Sequence, residues 1–216
     1  MPILPYCIVS DGVPVPEIVT GVAEARIERL QVGALACLYS EVAELPKDPG
    51  EVMQAAMRFQ SVVQQVFGAG TVIPFRFPHL LENLESLREF MARGYDTYAG
   101  ALQRLSGMAQ VEVKLTRKPQ SPSAGEPTSG TEYLKARQAE FGAMQDTIAE
   151  FVEAGRAHAV EWRTRESPEA IRCYALVPHA GVADLKKSLS TVRPKPSIRA
   201  VVSGPWPPGE FVERSA

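Results

Sequence analysis

The sequence predicts an α+β protein of two domains, the second ferredoxin-like with the order βαββαβ and the first a modified ferredoxin-like version of the same plan. Three observations carry this. Short apolar runs of strand length alternate with longer segments whose apolar residues recur at helical spacing. From residue 109 onward these segments run strand, helix, strand, strand, helix, strand. The N-terminal half repeats that order, with a short turn or helix in place of its first helix. Composition agrees with a globular chain, since 45% of the 216 residues are hydrophobic and 22% charged.

Residues 3–9 and 34–42 are apolar runs of strand length, with a weaker candidate at 25–30. Asp48-Pro49-Gly50-Glu51 then opens a helix: the Asp48 carboxylate caps an early amide, Pro49 suits the first helical position and Glu51 completes a capping box. Its apolar stripe is Val52, Ala56, Phe59, Val63 and Val66, and Gly68 and Gly70 predict a left-handed glycine stop. A strand is expected at 71–76. From Asn83 to Leu105, the spacing of Leu84, Leu87, Met91, Tyr98, Leu102 and Leu105 predicts one long helix with a nearly heptad stripe.

Val111, Val113 and Leu115 alternate with Glu112, Lys114 and Thr116, the period of a strand with one wet face. Pro119–Ser129 reads as a loop from its Pro, Ser and Gly content. Ser129-Gly130-Thr131-Glu132 is a capping box for a second long helix, with the stripe Leu134, Phe141, Met144, Ile148 and Phe151. The two stripes suit either an antiparallel helix pair or burial against a sheet. Strands at 160–165, 171–177 and 197–203 and a short helix at 182–190 complete the reading. The expected division is an N-terminal domain over 1–82, a connecting long helix over 83–107, a ferredoxin-like domain over 108–203 and a Pro/Trp-rich tail over 204–216.

A formal charge of −2 and a pI near 6.0 argue against nonspecific binding to nucleic acid or anionic membrane, which needs clustered Lys and Arg. Lys114, Arg117 and Lys118 form a local basic exception. There is no basic segment ahead of a long apolar run and no stretch of 18 consecutive apolar residues, so a cytoplasmic protein is expected. Cys7, Cys37 and Cys173 are far apart in apolar runs, which predicts buried, reduced thiols without zinc or disulfide spacing.

Catalytic, cofactor and metal motifs are absent from the string: no G-x-S-x-G, H-E-x-x-H, P-loop or dinucleotide fingerprint occurs. His79, His158 and His179 sit near element ends, where surface or capping roles are expected. Glu82 with Glu85, and Glu150 with Glu153, read as solvated helix acids. Arg76 lies between Phe75 and Phe77 in a predicted strand whose alternation turns it away from both rings; were that side buried, it would need a structural ion pair. Because the ferredoxin-like order is also that of RNA-recognition modules, an RNA-binding or general interaction module is the rival class. Its open face would offer Glu112, Lys114, Thr116, Arg172, Tyr174 and Leu176, too few aromatics for base stacking.

The most informative segment is the C-terminal Ser203-Gly204-Pro205-Trp206-Pro207-Pro208. Proline favours a preformed extended backbone, so ordering this segment costs less entropy, and Trp206 adds a large apolar anchor. Two uses follow: a tail packed on its own chain, locking the domains, or a docking element for another protein.

The string Gly204-Pro205-Trp206-Pro207-Pro208 with Phe211-Val212 resembles the C-terminal signature of the gas vesicle protein L/F family (GvpL/GvpF), accessory proteins of gas-filled buoyancy organelles. Tyr6-Cys7-Ile8-Val9, Val72-Ile73-Pro74-Phe75-Arg76-Phe77, Gly130-Thr131-Glu132-Tyr133-Leu134 and Tyr174-Ala175-Leu176-Val177 resemble further family segments, in the family's order and across nearly the whole chain. Pro78-His79, Thr131 and Gly209-Glu210 depart from the family pattern, which bears on partner contacts rather than on fold. The resemblance implies a two-domain α+β architecture and a non-enzymatic structural or assembly protein of gas vesicles, without cofactor. It implies as partners the major shell protein and other vesicle accessory proteins, not nucleic acid or membrane. Pro205, Trp206, Pro207, Pro208 and Phe211 are the expected partner-binding or interdomain residues, and Arg76 and Tyr133 the expected structural ones.

Overall fold

A computed structural model describes residues 1–14, 20–118, 130–167 and 169–213, without the side chains of 130–137 and 140. It is a mixed α+β structure with two four-stranded sheets and five helices among the described residues. The chain divides into two compact units, Met1–Met108 with Trp206–Ala216, and Ala109–Pro205.

In the first unit, strands β1 (Ile3–Ser10), β2 (Glu28–Val32), β3 (Leu35–Glu41) and β4 (Ile73–Pro74) form a sheet in the order β2-β3-β1-β4. The strand β1 is antiparallel to both β3 and β4, and its first seven residues are buried, which is why it reads as an unbroken apolar run. Its register with β3 shifts between Pro5 and Cys7, where proline has no amide for the ladder. Gly33, with φ +59, turns β2 into β3. In place of a first helix, residues 20–26 are held from beneath by Tyr6, whose hydroxyl accepts from Val22 N at 2.9 Å and meets Ser40 Oγ at 3.1 Å. Arg58 donates from the side to Thr20 O at 2.6 Å and Thr20 Oγ1 at 2.7 Å.

Helix α1 (Pro49–Ala69) begins as expected, with the Asp48 carboxylate accepting from Gly50 N at 2.8 Å and Glu51 N at 3.4 Å. Its buried residues are Ala55, Phe59, Val62, Val63, Val66 and Phe67, while Val52 and Ala56 are only half-buried. The expected left-handed stop is absent. Gly68 lies inside the helix and Gly70 is extended, with φ 173. A side chain at Gly70 would stand 3.0 Å from Val13 Cγ1, so close approach is what its glycine serves.

The strand expected over 71–76 shrinks to two residues, because Pro74 brings no amide to the ladder. Phe75 N continues the pairing by one bond, donating to Tyr6 O at 2.9 Å, and Leu81 pairs again with Ile3 further along β1. The single helix expected over 83–105 is two, α2 (Leu84–Arg93) and α3 (Tyr95–Arg104). The break falls at Gly94, where a Cβ would stand 2.3 Å from Tyr98 Cε2. Glycine is also the weakest helix former apart from proline.

The second unit holds β5 (Met108–Arg117), α4 (Gly130–Gly155), β6 (Glu161–Glu166), β7 (Ala170–Pro178), α5 (Val182–Leu189) and β8 (Ile198–Trp206), with sheet order β6-β7-β5-β8. Counted from its own first strand, each sheet has the order second, third, first, fourth. Val111, Val113 and Leu115 of β5, Ile171, Cys173, Ala175 and Val177 of β7, Met144, Ile148 and Phe151 of α4, and Leu185 and Leu189 of α5 are buried. Val160, expected to start a half-buried strand, lies before β6 and is 68% exposed. Trp162 of β6 meets the end of α4, where a Cβ on Gly155 would come within 2.6 Å of its Cζ2. The last strand extends beyond its expected end at 203, through the cis Gly204–Pro205 peptide to Trp206. The expected 119–129 loop, the Ser129 cap and the Leu134 side chain lie outside the described residues.

Candidate functional site

The expected site residues fall on the end of β8 and the turn that follows it. Gly204 has φ +120, a conformation that favours glycine, and its carbonyl accepts from Lys186 Nζ of α5. Pro205 and Trp206 are half-buried, whereas Pro207 and Pro208 are buried. A single 3-10 turn, Gly209–Phe211, follows, with Gly209 N donating to Pro207 O at 2.8 Å and Phe211 N to Pro208 O at 3.1 Å.

Within the first unit this turn is anchored at three points. A Cβ on Gly209 would lie 2.8 Å from Pro74 Cγ, so glycine lets the turn rest on the end of β4. Glu210 Oε1 lies 3.5 Å from Arg76 Nη2. The Phe211 ring is fully buried and its carbonyl accepts from the Arg104 guanidinium at the end of α3. Arg76 follows β4 rather than lying within a longer strand, and its side chain is 65% exposed against 18% for Glu210. Because the arginine end is largely solvated, the pair contributes about 1 kcal/mol. Tyr133 lies in α4 at a position whose side chain is outside the described residues.

Arg104, Gly209 and Lys186 are the contributors that sequence reasoning missed. Arg104 and Phe211 are 107 positions apart, and nothing local in either segment joins them. The only sequence signals are a cation in the last turn of α3 and a glycine after two prolines.

The remaining candidates do not converge. His79 stacks on Phe75 with centroids 5.7 Å apart, and His158 Nε2 meets Ser188 Oγ at 3.0 Å. Among the described residues, no group of three or more His, Cys, Asp or Glu side chains is placed to hold a metal ion. Burial pushes the Cys7 thiol up to about 12 and raises Cys37 and Cys173 as well, so none of the three is poised as a thiolate nucleophile. No described helix is long and apolar enough to cross a membrane.

A family model described as gas vesicle synthesis protein GvpL/GvpF matches residues 3–213. The chain belongs to the GvpL/GvpF family. Among solved structures, it is similar to the gas vesicle protein GvpF from Anabaena sp. PCC7120, at 16% identity and TM-score 0.76, covering 100% of this chain and 97% of that one. It is also similar to GvpF from Microcystis aeruginosa, at 16% identity and TM-score 0.75, covering 99% of each chain. At this identity the likeness speaks for the fold. A comparison with curated protein sequences finds no significant match. In this GvpL/GvpF family member, the signature string Gly204–Pro208 thus spans the end of a strand and the entry to a buried turn.

Proposed function

We propose that this GvpL/GvpF protein is a minor structural or assembly accessory of the gas vesicle, acting in the cytoplasm and at the vesicle without a catalytic step. Its partners are the major shell protein and other vesicle accessory proteins. The observation that carries this reading is the family match over residues 3–213, nearly the whole chain. Shell subunits must keep apolar surface from water until they join a wall, and an accessory protein serves that need by covering such surface or nucleating its order. The shared strand order of the two sheets supports reading the second unit as ferredoxin-like and the first as a trimmed version, with residues 20–26 in place of a helix.

For the tail, burial of Pro207, Pro208 and Phe211 favours an internal anchoring role for these three, leaving half-buried Pro205 and Trp206 as its docking positions. The same reading divides the chain into an N-terminal domain over 1–82, a connecting segment over 83–107, a ferredoxin-like domain over 108–203 and a tail over 204–216. The RNA-binding reading draws little support, since Tyr174, the aromatic that would stack a base, is 6% exposed.

The test is retention of the major shell protein from the same genome by the purified chain, with RNA as the control ligand. Specific retention of shell protein is the expected result; retention of RNA alone overturns the reading. Trp206→Ala then separates the two roles of the tail. Docking predicts lost retention at unchanged thermal stability, and internal locking predicts the reverse.

A further inference from the structure

Helix α1 buries one stripe and turns a second to solvent. Phe59, Val62, Val63 and Val66 are buried, and on the opposite side lie Met53 and Met57, four residues apart and so neighbours on the helix surface. Both are large apolar side chains left in water, 62% and 59% exposed. Their surroundings carry little charge. Beyond Glu51 the helix has one charged residue, Arg58, whose guanidinium donates to Thr20, and its exposed polar residues there are Gln54, Gln60, Ser61 and Gln65.

The other methionines are placed differently. Met91 is 0% exposed and Met144 1%, Met108 is half-buried, and Met1 is exposed at the chain terminus. A thioether sulfur is polarisable and gives up an electron pair to peroxides, but only where the peroxide can reach it. At Met91 and Met144 that requires the core to open, which multiplies the rate by the small fraction of open molecules. At Met53 and Met57 the folded state itself presents the sulfur.

We propose that Met53 and Met57 form a modification site for hydrogen peroxide, at which reversible oxidation to the sulfoxides turns this face of α1 from apolar to polar while the core keeps its packing. The sulfur lone pair attacks one peroxide oxygen, the S–O bond forms as the O–O bond breaks, and the departing oxygen takes up the second proton and leaves as water. Each sulfur loses two electrons and each peroxide gains them. A thioether is a weak hydrogen-bond acceptor, whereas the sulfoxide is polar and chiral. On a face with so few charges, two such groups change what the surface offers to water and to other molecules. Because neither side chain belongs to the buried stripe, the change costs the fold no core contact. This chemistry is independent of the partners proposed above.

The experiment treats the purified full chain with hydrogen peroxide and follows each methionine by mass spectrometry of its peptides. Met53 and Met57 should be oxidised about tenfold or more faster than Met91 and Met144, and this difference should vanish in urea, where every sulfur is exposed. The oxidised chain should unfold at an unchanged temperature, elute earlier from a hydrophobic-interaction column, and return to its first position after treatment with methionine sulfoxide reductases. The double variant Met53→Leu, Met57→Leu should show much less of that shift, which separates these two sulfurs from Met1. Oxidation of Met91 or Met144 at the same rate, unmodified Met53 and Met57, a fall in unfolding temperature in step with their oxidation, sulfoxides that the reductases leave in place, or an equal shift in the double variant each overturns the proposal.

Discussion

Tyr6 is fully buried yet carries a hydroxyl, and that hydroxyl helps to hold residues 20–26, whose one helical element is the 3-10 turn Val22–Glu24. Tyr6→Phe keeps the ring and leaves the Val22 amide without its acceptor, so urea unfolding should show a loss of about 1–3 kcal/mol. The same site predicts that Gly21→Ala is costly, since its Cβ would fall 2.1 Å from the Tyr6 oxygen. Cys7 makes a prediction in pH. Its ordinary value of 9.0 is raised by burial to about 12 in the folded chain, so the folded state holds the proton over that interval. The stability this contributes is complete below pH 9 and is lost as pH rises toward 12, at about 1.4 kcal/mol per pH unit. Unfolding free energies measured across that window should fall more steeply in the wild type than in Cys7→Ala. The buried thiols were legible in the sequence because each sits in an apolar run; the role of Tyr6 was not, since it depends on a turn sixteen positions away.

At the scale of elements, what was legible is what is local. The Asp48 cap, Pro49 and the apolar runs of β1 and β3 each act within a few residues, and the structure keeps them. Asp48→Ala should accordingly cost about 1 kcal/mol. The features that were misread depend on partners distant along the chain or on backbone chemistry that hydrophobic periodicity does not register. The heptad-like stripe over 83–105 continues across Gly94, yet the helix does not, because the Tyr98 ring fills the space of a side chain there. The sign of one substitution decides between the two descriptions. In a continuous helix, Gly94→Ala would gain about 1 kcal/mol from propensity. With Tyr98 Cε2 at 2.3 Å it should instead lose about 1–3 kcal/mol by overpacking, measured as a lower midpoint in urea.

For the whole molecule, the tail joins sequence signature to folded structure. The Trp-Pro string was conspicuous because proline and tryptophan are chemically distinctive, but its anchors, Arg104 and the contact of Gly209 with Pro74, join segments far apart in sequence. Phe211→Ala removes a fully buried ring and should cost about 3–5 kcal/mol, read from the unfolding of the chain. Arg76→Met, by contrast, should change stability by no more than about 1 kcal/mol, because that guanidinium is largely solvated. The function proposed from family membership is an act of assembly, and the cell is where assembly is seen. The most direct measurement is therefore deletion of the gene in the organism that carries it, scored for gas vesicles by electron microscopy and flotation, with complementation by the intact gene. The account predicts absent or malformed vesicles in the deletion and their return on complementation. Normal, buoyant vesicles at undiminished number in the deletion strain would contradict it.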